Sequence, residues 1–283
     1  MEKAVMIDWR KEICDEISSD RVYFGHETCE HILPCPQKAC ELAKMFADKG
    51  MEVTLITPFL TNKGFDNTCR LIDSLLGICS NPEVVCSDWG MLHYLCKNGI
   101  CRPVIGRPLL AQHVDPRIKR MVKSKAQYGN TRQVMHVDGT SCLLKYKPPS
   151  SLLVGHLQQS WADKPSVISF FSKLNVRRCE ISNIVQGLEL AKHAGWSYSL
   201  HVPEVLVGIM RFCPGTGENF NLARVCDCKA HIQDKVVWHY PGFPTNLFRK
   251  ENALYYSQHT MPKDLNSLPI DRIVHNQAWQ GKF

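Results

Sequence analysis

Strand-like and helix-like segments alternate along most of the chain, and this alternation constrains the fold more than any other feature. Short apolar runs at 21–25 and 51–58 precede amphipathic stretches at 36–50 and 64–77. The order continues with strand-like runs at 83–87, 102–107, 176–182 and 196–202 and helix-like runs at 88–99, 166–175 and 183–195. Such alternation is typical of parallel βα units. The sequence therefore predicts an α/β fold, a TIM-like βα barrel that is complete or incomplete. An open Rossmann sheet is disfavoured because no G-x-G-x-x-G follows the first strand.

Residues 126–165 interrupt this alternation within what is otherwise one βα-barrel domain spanning residues 1–283. The segment is rich in turn residues and contains no clear βα unit. Because long structureless loops are uncommon in compact domains, a β-hairpin through 132–146 is predicted as an insertion on the barrel. The later run at 252–258 is predicted as a further strand.

Composition sets the expected compartment and the state of the thiols. No stretch reaches the ~18 consecutive apolar residues of a membrane helix, and the N-terminal segment lacks the apolar core of a secretory signal. We therefore expect a cytoplasmic protein with no membrane span, in which thiols stay reduced. The 14 cysteines are expected to bind a metal or cluster, or to pack in the core, rather than to form disulfides.

The net charge of +7 favours anionic ligands or partners only slightly. The densest basic run lies at 117–125, with near-helical spacing and no aromatic residue that could stack on a base. A solvated helix face is the favoured interpretation of this run, and a nucleic-acid or acidic-partner surface is the alternative.

Four cysteines stand out by position. Cys213, Cys226 and Cys228 lie in one short stretch beyond the 196–202 strand, and Cys29 follows the 21–25 strand by four residues. In a βα barrel the loops after the strands gather at one end, so these thiols are predicted to converge. Four thiolates suit either a structural zinc or a [4Fe–4S] cluster, and both alternatives stay open on spacing alone.

Hydrolytic motifs are missing from the sequence. His26 and His31 are five residues apart, whereas the H-E-x-x-H metalloprotease motif needs histidines four apart on one helix face. No G-x-S-x-G nucleophile elbow is present either. Serine-based and metalloprotease hydrolysis therefore receive no local support.

Taken in order, several segments resemble the U32 (collagenase-like) peptidase family, and most closely its UbiV-like iron–sulfur branch. The resemblance covers about residues 22–228 and is interrupted by the insertion. Its segments are VYFGHETC (22–29), GMEVTLITPFL (50–60), EVVCSDWGMLHYL (83–95) with Asp88, Trp89 and Gly90 at the helix start, VRRCEIS (176–182) and VLVGIMRFC (205–213).

This resemblance implies a [4Fe–4S] cluster bound by four cysteines. Cys29 matches the branch's first ligand, and Cys213 with Cys226 matches its C-x12-C pair. Cys228 departs from the pattern, since the second gap here is one residue instead of three, so Cys179 is a fallback fourth ligand. The insertion is a further departure.

The resemblance also implies a function. Members of the branch take part in oxygen-independent hydroxylation in ubiquinone biosynthesis, together with a U32-family partner. The chain is therefore expected to be the cluster-bearing half of a heterodimer acting on a small quinone precursor, with Arg107, Arg177 and Arg178 as candidates for holding an anionic donor or substrate. A collagenase-like peptidase and a zinc-stabilised binding protein are the alternatives. No catalytic residue can be assigned from the sequence.

Overall fold

Eight parallel strands close into a barrel in the computed structural model, which describes residues 1–13, 17–119, 131–145, 149–214, 218–219, 236–239 and 243–276. These strands are β1 Glu2–Met6, β2 Arg21–Gly25, β3 Glu52–Thr57, β4 Glu83–Cys86, β5 Arg102–Ile105, β8 Arg178–Ser182, β9 Ser197–Val202 and β16 Ile270–Asn276. Around the barrel their order is β1, β16, β9, β8, β5, β4, β3 and β2.

Among the described residues the α-helices of eight or more residues are α1 Pro36–Asp48, α2 Asn62–Leu76, α3 Trp89–Asn98, α4 Ser151–Gln158 and α5 Pro165–Lys173. All but α4 bury apolar residues against the barrel, whereas Leu152 and Leu153 of α4 are exposed. Local sequence sets their ends. Thr61 caps α2 through its hydroxyl, Asp88 caps α3 through its carboxylate, and Gly99 ends α3 in a left-handed conformation. No helix among the described residues is both long and apolar enough to cross a bilayer.

The remaining strands form three small sheets outside the barrel. β6 Thr131–Met135 and β7 Ser141–Lys145 pair as a hairpin, and β11 Phe212–Cys213 pairs with β12 Glu218–Asn219. A four-stranded antiparallel sheet has the order β10, β15, β14, β13, formed by β10 Glu204–Ile209, β13 Val236–Trp238, β14 Leu247–Lys250 and β15 Ala253–Ser257. Since β10 begins two residues after β9 ends, this sheet starts at the C-terminal end of the barrel.

Ion pairs fill the N-terminal end of the barrel interior. Arg272 contacts both Glu2 and Glu83 at 2.6 Å, and Arg21 contacts Glu2 at 2.6 Å. Above them lies an apolar layer formed by Ala4, Tyr23, Ile56, Val85, Val104 and Val274. The interior is therefore packed rather than open, and any binding site for a small molecule belongs at the opposite end.

The barrel prediction is confirmed, and the barrel is closed rather than incomplete. The predicted hairpin is also confirmed, as β6 and β7, and α4 follows it within the 126–165 segment. The strand predicted at 252–258 is confirmed as β15, which lies in the four-stranded sheet. The helix predicted at 183–195 was wrong, since these residues form none. The strands β1 and β16 were not predicted from the sequence. Most of the basic run 117–125 lies outside the described residues.

Candidate functional site

A buried ion pair lies at the C-terminal end of the barrel. Arg107 follows β5 and Glu27 follows β2, so both belong to loops at this end. The guanidinium donates from Nε and Nη2 to the two carboxylate oxygens at 2.8 and 2.6 Å, and its Nη1 donates to the Glu204 carbonyl at 2.7 Å. Burial alone would raise the pKa of Glu27, but the charge and hydrogen bonds of Arg107 outweigh it and hold that pKa below its ordinary value.

The turn between β14 and β15 reaches over the same end of the barrel. Glu251, at a φ of +50°, places its buried carboxylate 2.9 Å from Arg10 Nη2 and 3.4 Å from His26 Nε2. Burial opposes ionisation of this carboxyl, but His26 and Arg10 outweigh it, so the pKa of Glu251 lies well below its usual range. The turn is thereby joined electrostatically to the loops after β1 and β2.

His26 connects this network to the backbone of Cys29. Its Nδ1 accepts hydrogen bonds from the backbone nitrogens of Thr28 at 3.2 Å and Cys29 at 3.0 Å. An acceptor nitrogen carries no proton, so the ring's hydrogen lies on Nε2, facing Glu251. The ring therefore fixes the backbone on the N-terminal side of Cys29.

Asn252 joins the Cys29 loop to the Cys213 segment. This side chain is only 2% exposed, and its Nδ2 donates to the carbonyls of Thr28 at 2.8 Å and Met210 at 3.0 Å. Thr28 precedes Cys29 directly, and Met210 lies three residues before Cys213. Both cysteines are buried, with 6% and 4% of their surfaces exposed. One amide therefore holds together the two segments that carry these thiols.

A cavity of about 240 Å³ opens beside this junction. Lys250 and Asn276 line it, and both contact the Glu204 carboxylate, at 3.0 and 2.5 Å. The buried Oδ1 of Asn276 has no hydrogen-bond partner among the described residues, so it can accept a hydrogen bond from a bound molecule. The other groups that line the cavity include Arg10, Lys11, His26, Glu27, Glu251 and Tyr255. The lining therefore combines apolar surface with charged groups of both signs, most of which are paired.

A second polar pair lies inside the barrel. His201 Nε2 and Glu180 Oε2 are 2.6 Å apart, and the Tyr23 hydroxyl donates to the other oxygen of Glu180 at 3.1 Å. Burial, with the nearby charge of Arg107, lowers the pKa of His201. The imidazole is therefore neutral near pH 7, so Nε2 carries the proton donated to Glu180 while the buried Nδ1 has no partner among the described residues.

The residues predicted to form the site do not all meet. Cys29, Cys213 and Arg107 lie at the C-terminal end of the barrel, whereas Cys226 and Cys228 lie outside the described residues. Arg177 and Arg178 are at the opposite end, where Arg177 is exposed and Arg178 binds Asp271 at 2.6 Å.

Cys179, the fallback fourth ligand, lies away from the C-terminal end of the barrel. It is the second residue of β8, and its side chain packs in the core between barrel and helices. Burial raises the pKa of its thiol well above the ordinary value, which opposes the thiolate form that a metal requires.

The described residues alone contain no group of three or more potential ligands arranged around a metal. What they supply is two buried thiols on segments joined by Asn252. A four-cysteine site on these segments would also need Cys226 and Cys228.

Comparisons with family models, with curated proteins and with solved structures each find nothing similar to this chain. Assignment of a function therefore depends on the site itself and on the resemblance of the sequence segments.

Several site residues could not be found from the sequence. Glu27 lies in the segment VYFGHETC (22–29), and its position just after a predicted strand could have identified it as a site residue. Glu251, Asn252 and Tyr255 gave none, because they reach the barrel from strand β15 and the turn before it, more than 200 residues along the chain from Thr28.

Proposed function

We propose that this chain binds a [4Fe–4S] cluster through Cys29, Cys213, Cys226 and Cys228, and that it takes part in an oxygen-independent hydroxylation. The substrate would be a small quinone precursor, and a second U32-family chain would be the partner. The observation that carries the proposal is the double hydrogen bond of Asn252, which brings the segments of Cys29 and Cys213 together. The reaction and the partner rest on the resemblance of the sequence.

The surroundings of the two thiols support a cluster. Both are buried, and a cluster shielded from water is protected from oxidative loss and has its potential set by local hydrogen bonds. His26 and Asn252 hold the backbone at Thr28 and Cys29, which limits how far the first ligand can move. When bound, the cluster would supply one-electron chemistry.

The cavity supports a small-molecule substrate next to that position. Glu27 lines the cavity and lies two residues before Cys29. Lys250 and Lys11 lie at its wall, and Asn276 offers a hydrogen-bond acceptor. In the proposed role these residues bind and orient the substrate and exclude bulk water, while Arg107 keeps Glu27 ionised and fixed in place.

The first test is anaerobic purification followed by an optical spectrum and analysis of iron, sulfide and zinc. A brown protein with about four irons per chain is expected, the content of one cubane cluster. Alanine replacements of Cys29, Cys213, Cys226 and Cys228 should each remove the iron, and Cys69→Ala is a matched control on α2. A colourless chain with one zinc would contradict the redox function and support the zinc-binding alternative.

The second test addresses the reaction. The iron-loaded chain, alone and co-expressed with a second U32-family protein, is incubated under argon with a reductant, a set of candidate hydroxyl donors and hydroxylatable quinone precursors. Gain of one oxygen atom, detected by mass spectrometry and lost in Cys29→Ala, is expected. Cleavage of gelatin that persists in Cys29→Ala, without hydroxylation, would support the peptidase alternative instead.

A further inference from the structure

One short loop contacts the neighbours of both described cysteines. Residues 58–61 connect β3 to α2. In this loop Thr61 contacts the segment that carries Cys29, and Phe59 contacts the segment that carries Cys213. Thr61 binds Glu30, which follows Cys29 directly. Phe59 lies under the guanidinium of Arg211, two residues before Cys213, at 5.6 Å from the ring centroid. The loop therefore contacts the neighbours of both cysteines through residues other than Asn252.

Glu30 is fixed on this loop by two short hydrogen bonds. Its Oε2 accepts from the Thr61 backbone nitrogen at 2.6 Å, and its Oε1 accepts from the Thr61 hydroxyl at 2.8 Å. The carboxylate thus lies at the N-terminus of α2, where the partial positive charge of the helix favours an anion. The bound group is Glu30 itself, so this helix end is already occupied.

Gly64 makes the close approach of Glu30 possible. It is the third residue of α2, and a Cβ at this position would overlap the Glu30 carboxylate. Alanine is the better helix former, so glycine here costs α2 some stability, and the close approach of Glu30 accounts for that cost. A larger residue at position 64 would therefore displace the Glu30 carboxylate.

We propose that Glu30 is a positioning residue for Cys29, and that Gly64 and Thr61 form the seat that holds it. This role rests on the proposed function, in which Cys29 is a cluster ligand. His26 fixes the backbone before Cys29, and Glu30 fixes the chain immediately after it. With both sides held, the Cys29 thiol keeps one direction relative to the Cys213 segment, so cluster binding does not have to order the loop.

The first measurement reads the position of Cys29 without needing a cluster. Metal-free chain is treated with iodoacetamide, and alkylation of Cys29 is followed by peptide mass spectrometry. Glu30→Ala and Gly64→Ala should each speed alkylation several-fold, because Cys29 is buried only while the loop is held. The controls are Glu41→Ala, an exposed carboxylate paired with Lys38, and Gly208→Ala, where a Cβ meets nothing within 4 Å.

The double variant tests whether Gly64 acts through Glu30. Glu30→Ala removes the carboxylate that a Cβ at position 64 would overlap. Gly64→Ala should then have no further effect on alkylation, so the two changes are strongly non-additive. An equal effect of Gly64→Ala in both backgrounds would overturn the role of Glu30, because the damage would then come from α2 alone.

The second measurement follows loss of the visible cluster absorption in the presence of a chelator. Glu30→Ala and Gly64→Ala should lose it about 10-fold faster than the wild type, the usual effect of removing a residue that orients a ligand. Unchanged alkylation and unchanged loss in an iron-containing protein would overturn this inference and leave the cluster proposal intact. A wild-type chain without iron would overturn the cluster proposal, while faster alkylation would still establish Glu30 as the anchor of Cys29.

Discussion

Arg107 and Glu27 form a two-point ion pair across the mouth of the barrel, with nitrogen–oxygen distances of 2.8 and 2.6 Å and 5% and 6% of their surfaces exposed. The pair joins the loop after β5 to the loop after β2, which continues into Cys29. A buried pair of this kind contributes less through its attraction than the removal of one partner would cost. The ends of the two loops are therefore coupled through charge.

Replacing Arg107 alone should strongly destabilise the fold. Arg107→Met leaves the Glu27 carboxylate buried without its partner, and we expect the free energy of unfolding to fall by about 3–5 kcal/mol. The double variant Arg107→Met/Glu27→Met should recover most of that loss. Arg178→Met is the matched control, since its partner Asp271 is half exposed and such pairs contribute about 1 kcal/mol or less. Urea unfolding measures all three, and equal losses at both arginines would contradict the argument.

Replacing Asn252 should strongly lower the stability of the fold, because its side chain donates to two buried carbonyls. Asn252→Ala removes the donor shared by the Thr28 and Met210 carbonyls, and two buried acceptors without partners cost about 2–4 kcal/mol. Asn252→Asp should cost more, because a carboxylate would face two carbonyl oxygens. Asn246→Ala, an exposed residue of the same sheet region, should change stability by less than about 0.5 kcal/mol.

Thermal unfolding measures the stability of these variants. The iron content per chain is the second measurement. Both Asn252 variants should also lower iron content per chain. A variant that keeps full iron content would show that the Asn252 bridge does not hold the proposed ligands together.

Stability should decline in acid in two stages. The pKa of His201 is lowered by burial and by Arg107, so the unfolded chain takes up this proton first, and stability falls as pH drops below about 6.5. The pKa values of Glu27, Glu83 and Glu251 are lowered in the fold because their arginine and histidine partners outweigh burial. Their contribution is lost below about pH 4.3, as the unfolded carboxylates protonate.

Chemical denaturation between pH 8 and pH 4 checks the first stage. His201→Gln should flatten the dependence between about pH 6.5 and 5. His275, whose pKa is lowered by burial and by Lys3, contributes to the same window, so His275→Gln is the companion variant. A wild-type profile that is flat from pH 7 to 5 would show that neither imidazole is held neutral.

Cys179→Ala should keep the iron of the wild type. The thiol lies in the core between barrel and helices and away from the C-terminal loops. Its removal should lower the free energy of unfolding by about 1 kcal/mol, the loss expected for one small buried group. Iron loss in this variant, with iron retained in Cys228→Ala, would instead make Cys179 the fourth ligand.

Local patterns predicted most of the barrel because they coincide with what the fold requires. The strand at Arg21–Gly25 and the helix at Trp89–Asn98 match the runs predicted at 21–25 and 88–99. Residues 183–195 looked helical from their apolar spacing, but Asn183 and Gln186 instead bind carbonyls of distant segments, including Thr260 and His113. Tertiary hydrogen bonds of that kind leave no periodic trace in a sequence.

The site was only partly predictable for the same reason. The position of Cys29 after a strand follows from barrel geometry, which applies to every βα unit. The contact of Asn252 with Thr28 depends on how the four-stranded sheet folds back over the barrel, and no local rule gives that arrangement. Arg178 is the first residue of β8 and Arg107 follows the last residue of β5, so these two candidates lie at opposite ends of the barrel.

The contact between Glu2 and Arg272 links residues 270 positions apart in the chain. It belongs to the seam where β1 meets β16, the last of the eight strands along the chain. Because a seam between such distant segments can form only after the intervening chain is arranged, closure of the barrel should be a late and slow folding event of high contact order. The ion pairs among Glu2, Arg21, Glu83 and Arg272 should then stabilise the closed barrel only at the end of folding, since they are complete only once β16 is in place.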